Sequence, residues 1–368
     1  MTVTHATGSY AVYTEALARA PLRLREAGLA PGLALVVTDE TVAGLYLDAL
    51  AGALQADGWR PVPVVVAPGE GSKSLPTFAA VLDACLAAGA DRATPLLTLG
   101  GGVVGDLGGF AASTLLRGVP LVHLPTTVLA QVDSAIGGKT GVNTGRGKNL
   151  IGTFYPPRFV LADPATLATL PLRELRSGLA EVVKHALLDG GALLETLEAD
   201  WERLGDAGVL GRVVREAAGV KARVVSSDER EGGARAFLNF GHTLGHALES
   251  ASGYGRLAHG EAVALGMRAA LHLSASLARS ADVGRALPEP WARMDRLVAR
   301  LDAPPVPDGV TDEALLAAMA SDKKRDAGGL RFVVLDAPGQ PRLASGVPEA
   351  LVRAAVAYAR SAQPAAGL

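Results

Sequence analysis

The sequence predicts an α/β protein: an N-terminal Rossmann-like domain built on a mostly parallel sheet, followed by a mainly α-helical domain. Three observations carry this expectation. Short apolar runs alternate with helical stretches through the first half, and after Asp163-Pro164 long segments with apolar residues at helical spacing take over. Apolar residues make up 49% of the 368 residues and aromatics only 4%. A core so poor in aromatics must be built of Ala, Val and Leu, which suits helices packed on a parallel sheet.

The elements follow in order. Leu33-Ala34-Leu35-Val36-Val37-Thr38-Asp39 is a continuous apolar run ending in polar residues, as a strand buried on both faces should be. A helical stretch follows to about Asp57, then a strand from Val62 to Val66, a helix from about Leu75 to Ala88, and a strand from Leu96 to Leu99. Leu121–Leu124 and Phe159–Leu161 read as two more strands. This alternation implies an open sheet with ligands at the carboxyl ends of its strands. Helices are then expected over 172–188, 209–225, 238–250, 260–277 and 291–301, with Pro304-Pro305-Val306-Pro307 as a rigid connector. No internal repeat is visible, and the Ala-rich C-terminal tail is expected to fray. The boundary falls near Pro164: residues 1–164 form a nucleotide-type α/β domain and residues 165–368 a helical one.

Composition excludes several function classes. The formal net charge is −2, and no basic run with interleaved aromatics occurs, which argues against a nucleic-acid binder. The single cysteine, Cys85, rules out an internal disulfide framework and fits a reducing cytoplasm. It lies in the apolar pattern Val81-Leu82-Asp83-Ala84-Cys85-Leu86 and reads as a core residue rather than a nucleophile. The N-terminus lacks a basic start followed by an apolar core, so no signal peptide is expected. No uncharged apolar run is long enough to span a bilayer, so no membrane role is expected.

The chemistry concentrates in a few segments. Asn239-Phe240-Gly241-His242-Thr243-Leu244-Gly245-His246, with His259-Gly260-Glu261 downstream, holds three of the seven histidines. His242 and His246 are four apart, which on a helix puts both imidazoles on one face. With a carboxylate and a third imidazole they would make a divalent-metal site. Gly100, Gly102 and Gly105 of Leu99-Gly100-Gly101-Gly102-Val103-Val104-Gly105-Asp106 fit the G-x-G-x-x-G pattern, in which free N–H groups at a helix start receive a pyrophosphate. The usual acidic residue about twenty positions on is missing. Asp39, at the end of the first strand of the series, either takes the adenosine ribose instead or caps the next helix. Pro68-Gly69-Glu70-Gly71-Ser72-Lys73 ends the next strand and would face the same crevice, or form a surface turn. Val132 to Asn143, running into Gly147 to Gly152, sets Lys139, Lys148 and Asn149 in glycine-rich turns suited to a phosphate.

Ser177-Gly178-Leu179-Ala180-Glu181-Val182-Val183-Lys184-His185 lies on a helix. Glu181 among apolar neighbours is either a metal ligand or an ordinary face charge. His123 and His185 read as packing residues. Lys221, Glu231, Arg235 and Asn239 carry the groups needed to grip a carboxylate and hydroxyls, or line a solvated helix face. Asp322-Lys323-Lys324-Arg325 is a short basic cluster.

Taken together, these segments resemble the 3-dehydroquinate synthase family of sugar-phosphate cyclases. The resemblance rests on Gly100 to Asp106, Pro125-Thr126-Thr127, Asp133 through Lys139, Gly147-Lys148-Asn149, Ser177 to Glu181, Asn239 to His246, His259-Gly260-Glu261 and Asp322-Lys323-Lys324, in the family's order over residues 68 to 325. It implies metal ligation by Glu181, His242 and His259, with zinc or cobalt as the ion, and makes His246 a pocket residue rather than a ligand. NAD contacts would be Gly69, Glu70, Gly71, Ser72 and Lys73; Gly102, Val103, Val104, Gly105 and Asp106; Thr126, Thr127, Lys139 and Lys148; and Thr166, Leu167, Ala168 and Thr169. Substrate contacts would be Asp133, Lys139, Asn149, Lys184, Lys221, Glu231, Arg235, Asn239, His246 and one of Lys323 or Lys324. Arg117 would reach into the site of a second copy in a homodimer.

The family's substrate, 3-deoxy-D-arabino-heptulosonate 7-phosphate, is a small phosphorylated sugar acid. Its carbinol is transiently oxidised by NAD+, phosphate is eliminated, hydride is returned, and an intramolecular aldol reaction closes the ring. A cyclase acting on sedoheptulose 7-phosphate, which lacks the carboxylate, is the neighbouring alternative, followed by a metal-dependent polyol dehydrogenase and a non-catalytic NAD- or metal-binding protein. Lys221, Arg235 and Asn239 favour the carboxylated substrate.

Overall fold

The computed structural model describes residues 1–230, 233–253, 255–323 and 330–361. The chain divides into two units, Met1–Leu170 with Lys221–Glu229, and Pro171–Val220 with the residues from Arg230 onward.

The first unit runs β1 (Thr2–His5), β2 (Gly8–Thr14), α1 (Ala20–Glu26), β3 (Leu33–Asp39), α2 (Glu40–Val42), α3 (Asp48–Ala56), β4 (Arg60–Val66), α4 (Leu75–Ala87), β5 (Leu96–Gly100), α5 (Gly102–Thr114), β6 (Leu121–Pro125), β7 (Lys139–Thr144), β8 (Gly147–Phe154) and β9 (Phe159–Ala162). Seven strands form one sheet in the order β1-β2-β9-β6-β5-β3-β4. Every neighbouring pair is parallel except the β1–β2 hairpin. β5, β6 and β9 are buried at every residue, which is why their sequences are continuous apolar runs instead of alternating ones.

The side chains of β3 divide between two cores. Leu35 and Val37 join Val81 and Cys85 of α4 and Leu107 and Ala111 of α5, whereas Ala34 and Val36 join Leu24 of α1 and Leu50 and Leu54 of α3. Helices therefore cover both faces of the sheet. The chain leaves β3 in one direction to reach β4, then returns past β3 to β5. The order reverses between β3 and β5, and that is where a doubly wound sheet opens a ligand crevice at its carboxyl edge.

α5 lies unusually close to the sheet. A Cβ at Gly108 would stand 2.5 Å from Thr98 Cγ2 of β5, and on its other side one at Gly109 would stand 2.5 Å from Thr140 Cγ2 of the β7–β8 hairpin. The close helix–strand packing usually assigned to the last glycine of a dinucleotide fingerprint falls here to Gly108, because Gly105 has its nearest such neighbour, His123 Nδ1, at 3.9 Å.

The second unit contains α6 (Leu172–Asp189), α7 (Ala192–Asp200), α8 (Ala207–Ser227, whose residues from Lys221 group with the first unit), α9 (His242–Ala251), α10 (His259–Arg279), α11 (Trp291–Ala299), α12 (Asp312–Lys323), the antiparallel pair β10 (Arg331–Leu335) and β11 (Pro341–Ser345), and α13 (Glu349–Arg360). Its core joins Leu248 of α9, Leu265 and Leu273 of α10, Leu315 of α12, Val334 of β10 and Val356 of α13. The long helices expected from apolar spacing are present. The expected helix over 238–250 divides instead into a 3-10 turn, Ala234–Asn239, and α9, separated by Gly241 at φ +79°. Much of the Ala-rich C-terminal stretch does not fray: it forms α13, whose buried Val352, Ala355, Val356 and Ala359 anchor it. Residues 362–368 lie outside the described residues. Among the described residues, no helix is long and apolar enough to cross a membrane.

Gly108→Ala should destabilise the protein by ~1–3 kcal/mol, the usual cost of forcing extra volume into a packed core. Gly52→Ala in α3, where a Cβ meets nothing within 4 Å, should be neutral or mildly stabilising. Urea unfolding of the two variants checks this, and equal effects would contradict the packing argument.

Candidate metal centre and nucleotide crevice

Because the strands run parallel, their carboxyl ends share one rim of the first unit, and the nucleotide residues expected from the sequence lie along it. Asp39 ends β3; Gly69 to Lys73 follow β4; Gly102 to Asp106 open α5 after β5; Thr126 and Thr127 follow β6; and the 3-10 turn holding Thr166 to Thr169 follows β9. Gly101 is the N-cap of α5, so the first N–H groups of that helix face outward from the sheet's edge, where a phosphate is favoured. Asp39 Oδ1 accepts a hydrogen bond from Val42 N at 3.0 Å, so it does act as a helix cap. Gly69 has φ +93°, a turn conformation that glycine adopts without penalty.

The crevice is braced by contacts that local sequence could not reveal. Lys73 Nζ meets Asp106 Oδ2 at 2.5 Å, with Lys73 only 5% exposed. Burial pushes the Asp106 carboxyl above its ordinary range, while the Lys73 ammonium pulls it back down. Gln131, fully buried, donates from Nε2 to Pro125 O at 3.1 Å and to Asp163 O at 2.9 Å, tying the end of β6 to the turn after β9. Tyr46 donates to Thr166 O at 2.9 Å and also bonds the Thr169 hydroxyl. Lys221 Nζ donates to Asp133 Oδ1 at 2.7 Å, which brings two of the expected substrate residues together.

Lys139 begins β7, and Lys148 and Asn149 lie on β8, so the glycine-rich segment read as turns is a two-stranded hairpin. Arg117 is exposed, at φ +69°. His123 packs as expected but has a partner that sequence reading missed: its Nδ1 lies 2.7 Å from Thr98 Oγ1, and burial lowers its pKa to about 4.

In the second unit three helices supply one group. Glu181 sits on α6 within a stretch, Ser177 to Leu188, that is buried throughout. His242 is the first residue of α9 and His259 the first of α10. Glu181 Oε1 stands 3.5 Å from His242 Nε2 and 3.4 Å from His259 Nε2, and one ligand atom from each of the three residues lies within 4.8 Å of the others. Each imidazole's other nitrogen is oriented. His242 Nδ1 lies 3.2 Å from Phe240 O, and His259 Nδ1 lies 3.5 Å from Glu249 Oε2. Such outer contacts fix which nitrogen is presented to a metal. Burial, with the Lys184 cation, holds His242 well below its usual pKa, so its Nε2 lone pair is free of a proton. Burial also acts to lower His259, but Glu181 and Glu249 outweigh it and raise the pKa to about 10. Positive charge is thus favoured where the two carboxylates meet. One carboxylate oxygen and two imidazole nitrogens, each oriented from behind, fit a zinc- or cobalt-type ion.

Glycines make this convergence possible. A Cβ at Gly260 would stand 2.0 Å from Ser177 O, joining α10 to α6, and one at Gly266 would stand 1.9 Å from Gly241 O, joining α10 to α9. Ser177 Oγ accepts the Gly260 N–H at 3.0 Å. Glu261 caps α10 by accepting the Ala258 N–H at 2.7 Å, and Arg173 clamps its two oxygens at 2.7 Å each. The His259-Gly260-Glu261 sequence therefore supplies a donor atom, a close approach and a cap in consecutive residues.

Of the other expected residues, Lys184 is buried and ion-paired with Glu181, Arg235 is buried, and Asn239 lies in the same 3-10 turn as Arg235. His246 stands with its ring 5.3 Å from that of His242 but is not one of the three grouped residues. The i,i+4 pair thus shares a helix face without forming the ligand set. Lys323 ends α12, while Glu231 and Lys324 lie outside the described residues. His185 is fully buried.

Family models described as the N-terminal and C-terminal parts of 3-dehydroquinate synthase match residues 63–177 and 178–325. A 3-dehydroquinate synthase from Salinibacter ruber is 49% identical over 356 residues, covering 96% of this chain and 95% of its own. Among solved structures, a 2-epi-5-epi-valiolone synthase from Streptomyces hygroscopicus with NAD+ and Zn2+ bound is 31% identical, with a TM-score of 0.85 and 98% of each chain covered. A 2-deoxy-scyllo-inosose synthase complexed with carbaglucose-6-phosphate, NAD+ and Co2+ is 26% identical, with a TM-score of 0.83 over 99% of this chain and 100% of that one.

The metal group makes a direct expectation. After chelation, calorimetry should register one equivalent of Zn2+ or Co2+, and His242→Ala should abolish that stoichiometric binding. Glu249→Gln, which leaves all three donors in place, should weaken it ~10–100-fold, the usual effect of removing an outer partner. Undiminished affinity in His242→Ala would take this residue out of the site.

Proposed function

The chain belongs to the 3-dehydroquinate synthase family, and on that premise we propose that it uses NAD and one divalent ion, zinc or cobalt, to convert 3-deoxy-D-arabino-heptulosonate 7-phosphate into 3-dehydroquinate and phosphate. It is a phosphate-eliminating carbon–oxygen lyase, which places it in the shikimate pathway of aromatic amino acid biosynthesis. The observation that carries the reading is the Glu181–His242–His259 group, with Glu181 fully buried and the two imidazoles oriented.

Bound NAD+ supplies a reversible hydride acceptor, and the divalent ion supplies a Lewis acid that lowers a substrate hydroxyl's pKa. The chain's own residues bind, orient and move protons. Asp39, the Gly69–Lys73 turn, Gly102 to Asp106, Thr126, Thr127, Lys139, Lys148 and Thr166 to Thr169 receive the nucleotide, in a unit that serves as the NAD-binding domain. The other unit is the metal-binding one. Arg235, buried and carrying a planar fork of donors, grips the substrate carboxylate, with Asn239 of the same turn beside it. The Lys221–Asp133 pair offers a donor and an acceptor to substrate hydroxyls. Lys184 places a second cation at the Glu181 carboxylate and donates to the reacting oxygen. His246 stands ready to take or return a proton at that hydroxyl. Lys139, Asn149 and one of Lys323 or Lys324 hold the phosphate until it leaves, and Glu231 completes the hydroxyl contacts.

The same reading includes a homodimer. β8 pairs only with β7 among the described residues and exposes Leu150, Ile151 and Phe154. An apolar edge strand of this kind is a pairing surface that a protein normally covers. Arg117, exposed on the same unit, is the residue proposed to reach the second copy's site. Residence in the cytoplasm is supported by the sole cysteine, Cys85, whose thiol burial pushes up to about 11.

Two outcomes test the function. NAD+ should be required in catalytic amounts, with one phosphate released per dehydroquinate formed, and stoichiometric NADH accumulation would indicate a dehydrogenase instead. Arg235→Ala should raise the barrier to turnover by ~2–5 kcal/mol, as truncating a buried charge partner does elsewhere. Sedoheptulose 7-phosphate turned over as well as the carboxylated sugar by the unmodified protein would defeat the substrate assignment. The dimer has its own check: sedimentation of fully active protein as a monomer would exclude a shared site.

A further inference from the structure

We infer that Asn143, which none of the roles above uses, is a positioning residue that couples the nucleotide turn to the substrate-binding Asn149. The inference rests on the NAD and substrate sites proposed above. The register of the β7–β8 hairpin shifts between Val142 and Thr144: Asn143 alone stands on β7 opposite three residues of β8, Lys148 to Leu150, so the strand carrying Asn149 bulges around it. Such an irregularity breaks the ladder locally and leaves polar groups free for other partners. Asn143 bonds two separate segments. The Asn143 backbone N–H donates to Lys73 O at 2.8 Å, and its Nδ2 donates to Glu70 Oε1 at 2.6 Å. Its Oδ1 accepts the backbone N–H of Asn149 at 2.9 Å. Ser74, next to Lys73, also forms an isolated parallel bridge with Asn143.

The chemistry demanded at this position is narrow. One short side chain must donate to a carboxylate and accept from an amide N–H. An asparagine amide does both, whereas an aspartate would set a second carboxylate against Glu70 and an alanine would abandon both segments. What it holds is also specific. Asn149 has φ +55°, a left-handed conformation that costs most L-residues but that asparagine tolerates better than most. The bond from Asn143 Oδ1 fixes it from across the hairpin. At the other end, Lys73 is joined to Asp106 of α5. Asp106, Lys73, Asn143 and Asn149 thus form one continuous chain of contacts within the first unit. Ordering of the Gly69–Lys73 turn by a nucleotide therefore reaches the backbone of Asn149.

The test needs no turnover. Amide hydrogen exchange is followed over residues 147–150 with and without NAD+, alongside calorimetric NAD+ binding and thermal unfolding as a check of folding. In the unmodified protein NAD+ should raise protection there. In Asn143→Ala the protection should stay at the nucleotide-free level, with NAD+ affinity weakened by roughly 10-fold or less, as expected for one or two lost hydrogen bonds. An equal rise in protection in both proteins overturns the inference and leaves the function standing. Failure of the unmodified protein to bind NAD+ overturns both.

A donor–acceptor exchange keeps the idea testable if Asn143→Ala folds poorly. Asn143→Asp should raise KM for the phosphorylated sugar more than it lowers kcat, and adding Glu70→Gln should recover much of that loss because the bond re-forms with its ends exchanged. A double variant no better than Asn143→Asp alone would overturn the proposal.

Discussion

The approach of α10 to α6 at Gly260 is closer than any side chain allows, since a Cβ there would stand 2.0 Å from the Ser177 carbonyl oxygen. The arrangement of the second unit follows from this contact and its counterpart at Gly266 and Gly241. That approach sets how near the first-position histidine of α10 stands to the carboxylate on α6. Side chains of ordinary size would hold the axes at 8–10 Å. Glycine also sets where the helices start. Gly241 at φ +79° ends the 3-10 turn and lets α9 begin at His242, so Arg235 and Asn239 stay on one turn and His242 begins the next element. The ligand group is therefore a consequence of backbone packing, and the histidines and the glutamate occupy a junction that smaller residues create.

In the first unit the governing constraint is direction. Parallel strands deliver every carboxyl end to one rim, so segments far apart in sequence, from Asp39 to Thr169, become neighbours along an edge without any contact having to be invented for them. The reversal of order between β3 and β5 leaves a gap there. Gly108 lets α5 settle onto β5 of the sheet and Gly109 onto β7 of the hairpin, so the helix start that faces the rim is held rigidly. Gln131 and Tyr46 lock the outlying turn after β9 to the same edge. Rigid elements that hold polar groups in fixed positions are what catalysis by positioning requires.

The interior strands were legible in the sequence because burial on both faces writes itself as an unbroken apolar run, and β3 falls on the residues expected, Leu33 to Asp39. The strands that were missed, in the β1–β2, β7–β8 and β10–β11 hairpins, have one face or an edge in water, or carry glycines and polar residues for function, so their composition reads as turns. The site shows the same division. Local spacing drew attention to His242 and His246, which share a helix face, but which helices meet is a long-range fact that spacing does not encode. Local reading left Glu181 open between a ligand and a face charge, and only the resemblance selected Glu181 and His259 over His246. Phe240 O, Glu249, Gln131 and Tyr46 were invisible because their roles depend on partners distant in sequence or on backbone atoms.

A centre assembled from three helices is also a cross-link. On the ligand set proposed above, an ion held by Glu181 of α6, His242 of α9 and His259 of α10 would tie together segments spread over nearly eighty residues of chain. Such an ion binds the folded unit and has little purchase on the unfolded one, so free metal acts as a thermodynamic ballast worth about 2.7 kcal/mol at a hundredfold excess over the dissociation constant. The durability of the second unit would then track the cell's metal supply. Under metal starvation the protein would lose part of its structural reserve together with its Lewis acid, and an idle enzyme would become an easier substrate for proteolysis than a working one.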